Sequence, residues 1–336
     1  KMTAKEFIRK TKKHIWNQIM RQAKSHNIYP YIYRSYWHYL FHPRHQTECL
    51  PNDKSYYTAR PNPDAGIGHQ MANWIAGYWY AQQFNLNFAH LPFSNPIWEE
   101  FLGFGEGEPS IQDLKRKGYQ VRKLPLFNSE KGTEVNLNKK IIQSYQNKKI
   151  VFVAEQDQFY MEQYGIMPVL KKKFYSAPAR KKDQLIYQRE NFNIAIHVRR
   201  GDILSDVDNP NLNMRFLSND YFDKVLKQTV DNLYTDRPIH IYFFSQGKPE
   251  DYTEFFKYSN LHWCLHMGAQ ESFLHMVYAD LLITSKSSFS YKPALLNNGI
   301  KICPRIFWHG YPLSPDWILV ENDGSFDTKQ LNSLQF

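Results

Sequence analysis

The 336-residue chain lacks the long apolar runs and the cysteine clusters that mark several large classes of protein. No stretch approaches the roughly eighteen uninterrupted apolar residues that a membrane-spanning helix needs. The three cysteines, Cys49, Cys264 and Cys303, are far apart and odd in number, which argues against a disulfide framework and a thiolate metal cluster. No asparagine stands in an Asn-X-Ser/Thr sequon. With 42% hydrophobic residues, the chain can bury large cores, and its length predicts two domains.

Positive charge is in excess, but it is concentrated at one end. Residues 1–25 hold eight lysines and arginines against one glutamate, a net +7 of the chain's +10. A nucleic-acid-binding module would spread its basic residues along a recognition face, so no nucleic-acid partner is expected. Ile8, Ile15, Trp16 and Ile19 recur at helical spacing among these charges. Two interpretations stay open: a helix that lies on an anionic membrane surface, and a terminal helix packed on the body of the protein.

The most informative stretch is Asn193-Ile194-Ala195-Ile196-His197-Val198-Arg199-Arg200-Gly201-Asp202. A predicted buried strand runs here directly into two arginines, a glycine and a carboxylate. In an open α/β sheet, ligands bind beyond the carboxyl ends of the strands, where paired guanidinium groups suit a pyrophosphate. The alternative is a pair of surface arginines that form ion pairs with neighbouring acidic side chains.

Polar side chains also end two further predicted strands. Ser245 ends the strand over 239–245, and the cluster Ser285–Ser288 follows the strand over 281–284 and precedes a helix. Alternation of strands and helices predicts a parallel sheet with helices on both faces, so these tips should emerge at one edge together with the arginines. Hydroxyls and backbone N–H groups at a helix start form a phosphate cradle; a simple helix N-cap is the alternative.

A glycine-containing turn, Gly66-Ile67-Gly68-His69-Gln70, lies between a predicted strand over 56–60 and a predicted helix over 71–84. Its glycines permit close approach of the backbone, and the helix start attracts anionic or hydroxyl-rich ligands. A dinucleotide-binding fingerprint is excluded because Met71 stands where the third glycine would be, and no Walker lysine is present.

Three motifs resemble those of the GDP-fucose-dependent fucosyltransferases, the group that holds the α1,2-, α1,6- and protein O-fucosyltransferases. The stretch from His197 to Asp202 looks like the His-X-Arg-Arg-X-Asp motif of this group. The Gly66–Gln70 turn resembles its Gly-X-Gly-Asn-Gln loop, with His69 in place of asparagine, and the stretch 279–289 is similar to its late Asp-plus-Ser/Ser motif.

This resemblance implies an α/β fold of the GT-B type, in which two Rossmann-like domains have a cleft between them. It also implies an inverting, metal-independent glycosyltransferase that moves L-fucose from GDP-fucose to a hydroxyl of a glycan acceptor. In chain order, we expect a basic helix and irregular connection over 1–50, an acceptor domain over 51–180 and a GDP-sugar-binding domain over 181–336. Low cysteine use and the lack of sequons predict a cytoplasmic protein, with peripheral membrane contact through residues 1–25 as an option. The Golgi lumen is the alternative if a membrane anchor precedes Lys1.

The residues expected to bind the donor come from these motifs and strand ends, namely His197, Arg199, Arg200, Ser245, Asp280, Ser285, Ser287, Ser288 and Phe289. The expected acceptor-side loop comprises Gly66, Gly68, His69 and Gln70. Arg200, with Arg199 beside it, is expected to stabilise the charge that develops on the β-phosphate. The catalytic base, which would deprotonate the acceptor hydroxyl, stays open among Asp202, Asp206, Asp208 and His69.

Two alternatives to this function stay open. The donor could be another nucleotide sugar, since one sequence does not fix the sugar. In addition, Asp206-Val207-Asp208 spells the Asp-X-Asp of metal-dependent transferases, in which carboxylates hold a Mn²⁺ or Mg²⁺ on the diphosphate. No cofactor and no metal are expected, because the arginines already supply positive charge.

Overall fold

The computed structural model describes residues 8, 11, 12, 14–16, 18, 19, 22, 23, 28–42, 54–63, 65–154, 160–201, 203, 210 and 214–334. Within these residues the strands are β1 (Tyr56–Ala59), β2 (Asn87–Phe88), β3 (Gln120–Lys123), β4 (Ile150–Ala154), β5 (Phe192–His197), β6 (Ile239–Phe244), β7 (Leu261–Cys264), β8 (Leu281–Ile283), β9 (Ile300–Pro304) and β10 (Trp317–Val320). The α-helices are α1 (Arg34–Phe41), α2 (Ile67–Gln83), α3 (Pro96–Leu102), α4 (Ile111–Arg116), α5 (Gly132–Ser144), α6 (Met167–Ser176), α7 (Asn219–Asn232), α8 (Ala269–Tyr278), α9 (Ser288–Leu296) and α10 (Thr328–Asn332).

The first compact unit comprises Lys1–Arg60, Ala76–Leu91 and Gly107–Asp157. Its parallel sheet has the strand order β2-β1-β4-β3. Strand β4 is apolar and buried along its whole length because it lies between β1 and β3 and both of its faces are covered. This unit is therefore an α/β layer structure with an all-parallel sheet.

Part of the region expected to be an irregular connection is helical instead. Helix α1 lies within the stretch that the sequence analysis assigned to a connection, and it packs against α5 and β3. The Ser35 hydroxyl donates to the carbonyl of Lys123 over 2.6 Å, and the His38 ring stacks on Tyr145 with centroids 3.7 Å apart. These contacts, rather than a clear apolar period in the sequence, hold the helix in place.

The second compact unit comprises Pro61–Ile75, Pro92–Glu106 and Gln158–Phe336. Its six strands are all parallel, in the order β10-β9-β8-β5-β6-β7. Counted from β5, this is the 6-5-4-1-2-3 arrangement of a doubly wound sheet, and the strand order reverses between β5 and β8. The predicted α/β fold with parallel sheets is confirmed.

The core of this unit lies on both faces of β5, β6 and β8. Phe192, Ile194 and Ile196 of β5 are fully buried and pack with side chains of α7, among them Phe222 and Val225. Helix α7 begins where Ser218 accepts a hydrogen bond from the backbone N–H of Tyr221, as an N-cap should. A rigid central strand thus ends immediately before the arginine pair.

The two compact units are interleaved along the chain. Residues 61–75 and 92–106 belong to the unit that holds the C-terminal half of the sequence, although they lie in the predicted acceptor domain. The predicted boundaries at 51–180 and 181–336, and the cleft of a GT-B fold, stay predictions.

At the N-terminus, the described residues between 8 and 23 are helical. Ile8, Ile15, Trp16 and Ile19 are 53%, 51%, 41% and 47% exposed, whereas Ala23 is buried against Tyr29 and Tyr33. In the part of the chain that the structure describes, no helix combines the length and the apolar character needed to cross a bilayer.

We predict that Gly77→Ala destabilises the first unit. A Cβ on Gly77 of α2 would lie 2.8 Å from the backbone nitrogen of Ala59 in β1, which cannot move without breaking the sheet. Overpacking of this kind costs about 1–3 kcal/mol. Chemical denaturation measures the free energy of unfolding of the variant and of the parent protein.

Gly132→Ala is the matched control, because nothing lies within 4 Å of a Cβ at Gly132 in helix α5. Its free energy of unfolding should stay the same or rise by up to about 1 kcal/mol. Equal stability of the Gly77 and Gly132 variants would show that α2 does not pack on β1 at this distance.

Candidate functional site

The point where the strand order reverses carries polar side chains from both strands. Beyond the carboxyl end of β8, Ser285 meets His197 of β5, with 2.9 Å between the serine Oγ and the histidine Nδ1. A guanidinium nitrogen of Arg199 donates to the Oγ of Ser287 over 3.3 Å. The predicted convergence of the arginine motif with the serine cluster is therefore present in the structure, at the edge where doubly wound sheets bind ligands.

The amino ends of two helices meet at this edge. Helix α9 begins at Ser288, and its N-cap Ser287 accepts from the backbone N–H of Phe289 over 3.2 Å. Gly68, the second residue of α2, lies so close that a Cβ there would be 2.7 Å from the carbonyl carbon of Ser288. Because each helix amino end carries roughly half a positive charge, two such ends beside Arg199 make a strongly electropositive surface.

Arg200 points to another part of the same edge and is only 8% exposed. Its guanidinium donates to the carbonyl of Arg199 over 2.8 Å and to the side-chain oxygen of Asn219 over 2.6 Å, and it lies 5.0 Å from the ring centre of Phe216. Burial lowers the pKa of Arg200, but a guanidinium still keeps its charge. Among the described residues, no carboxylate lies within ion-pair distance of Arg200.

Ser245 holds two strand ends together. Its hydroxyl donates to the carbonyl of Val198 over 2.6 Å and lies 2.7 Å from the hydroxyl of Tyr252, which in turn donates to the carbonyl of Gln246. These bonds fix the backbone that leads into Arg199. Ser245 is thus placed to support the arginines rather than to reach a ligand itself.

His197 is held in its neutral form. Burial, together with the charge of Arg199, lowers the pKa of His197 to about 3. Its ring lies 5.6 Å from the ring of Phe289, centre to centre, so the two side chains form one wall of the site. A histidine with this pKa does not serve as a base near neutral pH, which agrees with the shaping or nucleotide-binding role expected for it.

The side chain of Gln70 fixes the glycine-containing turn. It donates to the carbonyl of Ala65 and to the hydroxyl of Ser94, each over 2.7 Å, and accepts from the backbone N–H of Ser94 over 2.9 Å. Gly66 is exposed and accepts the first helical bonds of α2 through its carbonyl, while His69 is half-buried in the first turn. The whole turn belongs to the second compact unit.

The structure does not bring Asp280 to this cluster. Asp280 precedes β8, whereas Ser285 follows it, so the two lie at opposite edges of the sheet. The Asp280 carboxylate accepts from the backbone N–H of Asn193 over 2.8 Å and pairs with Arg237 at 2.9 Å. These contacts give Asp280 a structural role at the amino edge.

The remaining candidates for the catalytic base, Asp202, Asp206 and Asp208, lie outside the described residues. Within the described part of the chain, no three His, Cys, Asp or Glu side chains cluster closely enough to hold a metal ion.

Two polar residues in helices that border the site were missed by sequence reasoning. Asn219 links Arg200 to the carboxylate of Glu254, to which its amide donates over 3.1 Å. Lys292, in the interior of α9, is fully buried. An asparagine at the first residue of a helix and a lysine in a helical segment are both common in sequences, so neither gave a signal.

Comparison with known proteins adds no family. No protein-family model matches the chain, and no curated protein matches it. Similar solved structures include apo POFUT1, which is 12% identical in sequence. The aligned region covers 75% of this chain and 96% of the POFUT1 chain, with a TM-score of 0.44. POFUT1 in complex with GDP is 12% identical and covers 76% and 99%, with a TM-score of 0.42. The fucosyltransferase NodZ from Bradyrhizobium is 12% identical and covers 73% and 92%, with a TM-score of 0.41. The function proposed below rests on the residues of this chain and not on these similarities.

We predict that Gly68→Ser destabilises the site, because the new Cβ would lie within 3 Å of three atoms of Ser288, two of them in the backbone. The expected loss is about 1–3 kcal/mol in the free energy of unfolding. Gly66→Ser is the matched control in the same turn, since nothing lies within 4 Å of a Cβ at Gly66 and serine is a favourable N-cap. If both variants unfold at the same denaturant concentration, the two helix ends do not meet as described.

Proposed function

We propose that the protein is a glycosyltransferase that moves L-fucose from GDP-fucose to a hydroxyl of a glycan acceptor. The observation that carries this proposal is the convergence of Arg199 with the amino ends of α2 and α9 at the reversal point of a doubly wound sheet. Such a site fits a diphosphate, because helix amino ends and guanidinium groups both favour phosphate oxygens. The three fucosyltransferase-like motifs supply these residues, and their resemblance supports fucose as the sugar and guanine as the nucleobase of the donor.

The chemistry follows from charge. When the bond between the anomeric carbon and the β-phosphate oxygen breaks, negative charge collects on the departing GDP and the sugar ring becomes oxocarbenium-like. Fixed positive groups around the phosphates stabilise that state without reorganising. Arg199 and Arg200 are proposed to hold the diphosphate, and the N–H groups at the start of α9 to share the charge. The arginines can act without a metal, so the proposed transfer is metal-independent.

Inversion requires a base on the face of the sugar opposite the leaving group. The proposed candidates are His69, Asp202, Asp206 and Asp208. His69 follows Gly68 directly and so lies close to the proposed phosphate site. The loop from Gly66 to Gln70 is proposed to face the acceptor, within a GT-B architecture whose two domains enclose the substrates.

We predict that Arg199→Ala and Arg200→Ala each lower kcat for release of fucose from GDP-fucose by about 100-fold or more, because each removes a charge that stabilises the departing diphosphate. A screen of nucleotide sugars, with and without a chelator, identifies the donor and tests the metal requirement. Fucose release that survives chelation is expected. Strict dependence on Mn²⁺ would contradict the proposal and favour the Asp206-Val207-Asp208 motif.

Arg305→Ala is the matched control for the arginine variants. Arg305 also follows a strand of the same sheet, β9, but it pairs with Glu321 at 2.6 Å. Its loss should leave turnover within about twofold, since an exposed ion pair contributes little. If the three alanine variants retain similar rates, the arginine pair has no part in the reaction.

A second proposal concerns location: the N-terminal region docks on an anionic membrane surface, and the protein acts from the cytoplasmic side. Exposed apolar side chains are present in the helical residues Ile15 and Trp16 and again in α1, where Phe41 is 73% exposed. Residues 1–25 add a net charge of +7. Apolar side chains beside lysines and arginines are the combination that binds anionic lipid headgroups.

We predict that the protein sediments with vesicles that contain phosphatidylserine but not with neutral phosphatidylcholine vesicles. Replacing Ile15 and Trp16 together by serine should weaken the partition about tenfold, because both apolar anchors are lost. Leu313→Ser removes an apolar side chain that is even more exposed but lies outside this region, and it should leave the partition unchanged. Equal sedimentation with both kinds of vesicle would contradict the proposal.

A further inference from the structure

Lys292 is a fully buried lysine in the helix whose amino end forms the proposed phosphate site. Its ammonium group donates to the side-chain oxygen of Gln163. It also lies 4.9 Å from the ring centre of Tyr291 and 5.8 Å from that of Trp308. The ammonium group is thus surrounded by one amide oxygen and two aromatic rings.

Lys292 and Lys301 are both almost completely buried, but only Lys301 has a recognised acidic partner among the described residues. Lys301 of β9 forms an ion pair with Asp316, whereas no carboxylate among the described residues pairs with Lys292. An ammonium buried without a counter-charge is costly, so the group loses its proton easily unless an anion is near. Burial lowers the pKa of Lys292 to about 7.

The position of Lys292 relates it to the phosphate site. Lys292 is four residues after Ser288, so both lie on one face of α9, one turn apart. Side chains of a helix tilt toward its amino end, and the lysine stem is long enough to reach back by about one turn. Its ammonium group lies at Gln163 and Trp308, on the helix whose amino end holds Ser287 beside Arg199.

The other titratable groups around Lys292 keep one charge state near neutral pH. His309, which follows β9, stacks on Tyr291 with ring centres 3.4 Å apart, and burial with the charge of Lys292 holds its pKa well below the usual range. Burial raises the pKa of Tyr291 well above its usual value.

Helices α6 and α8 also pack against α9, and their titratable side chains bond to groups other than Lys292. Tyr175 of α6 donates to the carbonyl of Leu296 in the last turn of α9. Lys171 of α6 donates to Asn298, and His275 of α8 accepts from the backbone N–H of Ile186. Lys292 is thus the group in this cluster that changes charge most readily.

We propose that Lys292 is a positioning residue that takes up a proton from solvent when the donor diphosphate binds, so that an interior positive charge forms behind the amino end of α9. This inference rests on the proposed function. Without bound donor, the amine is largely neutral in mildly alkaline solution. The negative charge of the bound diphosphate at the amino end of α9 then stabilises a positive charge on Lys292, and the ammonium form becomes the more stable one.

The test is titration calorimetry of GDP-fucose binding, without acceptor, in buffers of different ionisation enthalpy at pH 8. The diphosphate of GDP-fucose is esterified at both ends and has no proton to exchange near neutral pH. We expect uptake of more than roughly half a proton per site, and an affinity that falls about fivefold for each pH unit above 7. In Lys292→Met, uptake should vanish, and the affinity should be about tenfold or more weaker at pH 7 and nearly equal to that of the parent protein at pH 9.

Two variants test whether a group other than Lys292 takes up the proton. Lys171→Met removes a half-buried lysine of the neighbouring helix and should leave uptake unchanged. His197→Asn removes the imidazole beside Arg199, the other group that could take up a proton when an anion binds. Because His197 lines the proposed site, this variant should bind GDP-fucose more weakly, but its proton uptake per bound donor should stay unchanged. If Lys292→Met does not fold, Gln163→Leu takes its place, because loss of the amide oxygen disfavours the ammonium and should shift the fall in affinity to lower pH.

The outcomes separate this inference from the proposed function. Binding of GDP-fucose without proton uptake overturns the role of Lys292 and leaves the transferase proposal intact. Uptake that persists in Lys292→Met but disappears in His197→Asn also overturns it, since the proton then goes to the imidazole. Failure of GDP-fucose to bind at all overturns both.

Discussion

The contact on which the site depends is the close approach of Gly68 to the backbone of Ser288. Because glycine has no side chain, the first turn of α2 can lie directly against the first turn of α9. Two positive helix ends then face one region, and Arg199 joins them through Ser287. Like charges repel, and the diphosphate proposed to bind here would offset that repulsion.

The sheet of the second unit determines where these groups can meet. In the order β10-β9-β8-β5-β6-β7, the helices after β5 and β8 lie on opposite faces, which leaves a crevice at the reversal point. His197 and Ser285 lie across this crevice, and Ser245 ties the end of β6 to the backbone before Arg199. Because the positive groups directly follow buried, rigid strands, little conformational entropy is lost when a ligand binds to them.

The central strands could be predicted from the sequence, whereas three edge strands could not. Strands β4, β5, β6, β8 and β9 are apolar runs because both of their faces are buried. Strands β3, β7 and β10 lie at sheet edges, and β3 and β7 mix polar with apolar residues, so the pattern is weak. Helix α1 was missed for another reason: four of its eight residues are Tyr, Trp or Phe, and they lie on more than one side of the helix, which conceals the helical period.

The site could be predicted in part, because residues at the carboxyl ends of parallel strands must lie at one edge. That rule gives Arg199, Ser285 and Ser287. Asp280 was instead taken from the resemblance to the Asp-plus-Ser/Ser motif, although it precedes β8 and lies at the other edge. The edge rule is also silent on buried polar groups in the interior of a helix, such as Lys292 of α9. Neither the packing of Gly68 on Ser288 nor the bond from Arg200 to Asn219 has a local pattern, since both join segments far apart in sequence.

A crystal structure of the protein with GDP-fucose tests the central claim most directly. The diphosphate should lie at the amino ends of α2 and α9, with phosphate oxygens about 3 Å from the guanidinium of Arg199 and from backbone N–H groups of the Ser287–Phe289 turn. A nucleotide bound at the opposite, amino-terminal edge of the sheet, with Arg199 and Arg200 out of reach of its phosphates, would contradict the claim.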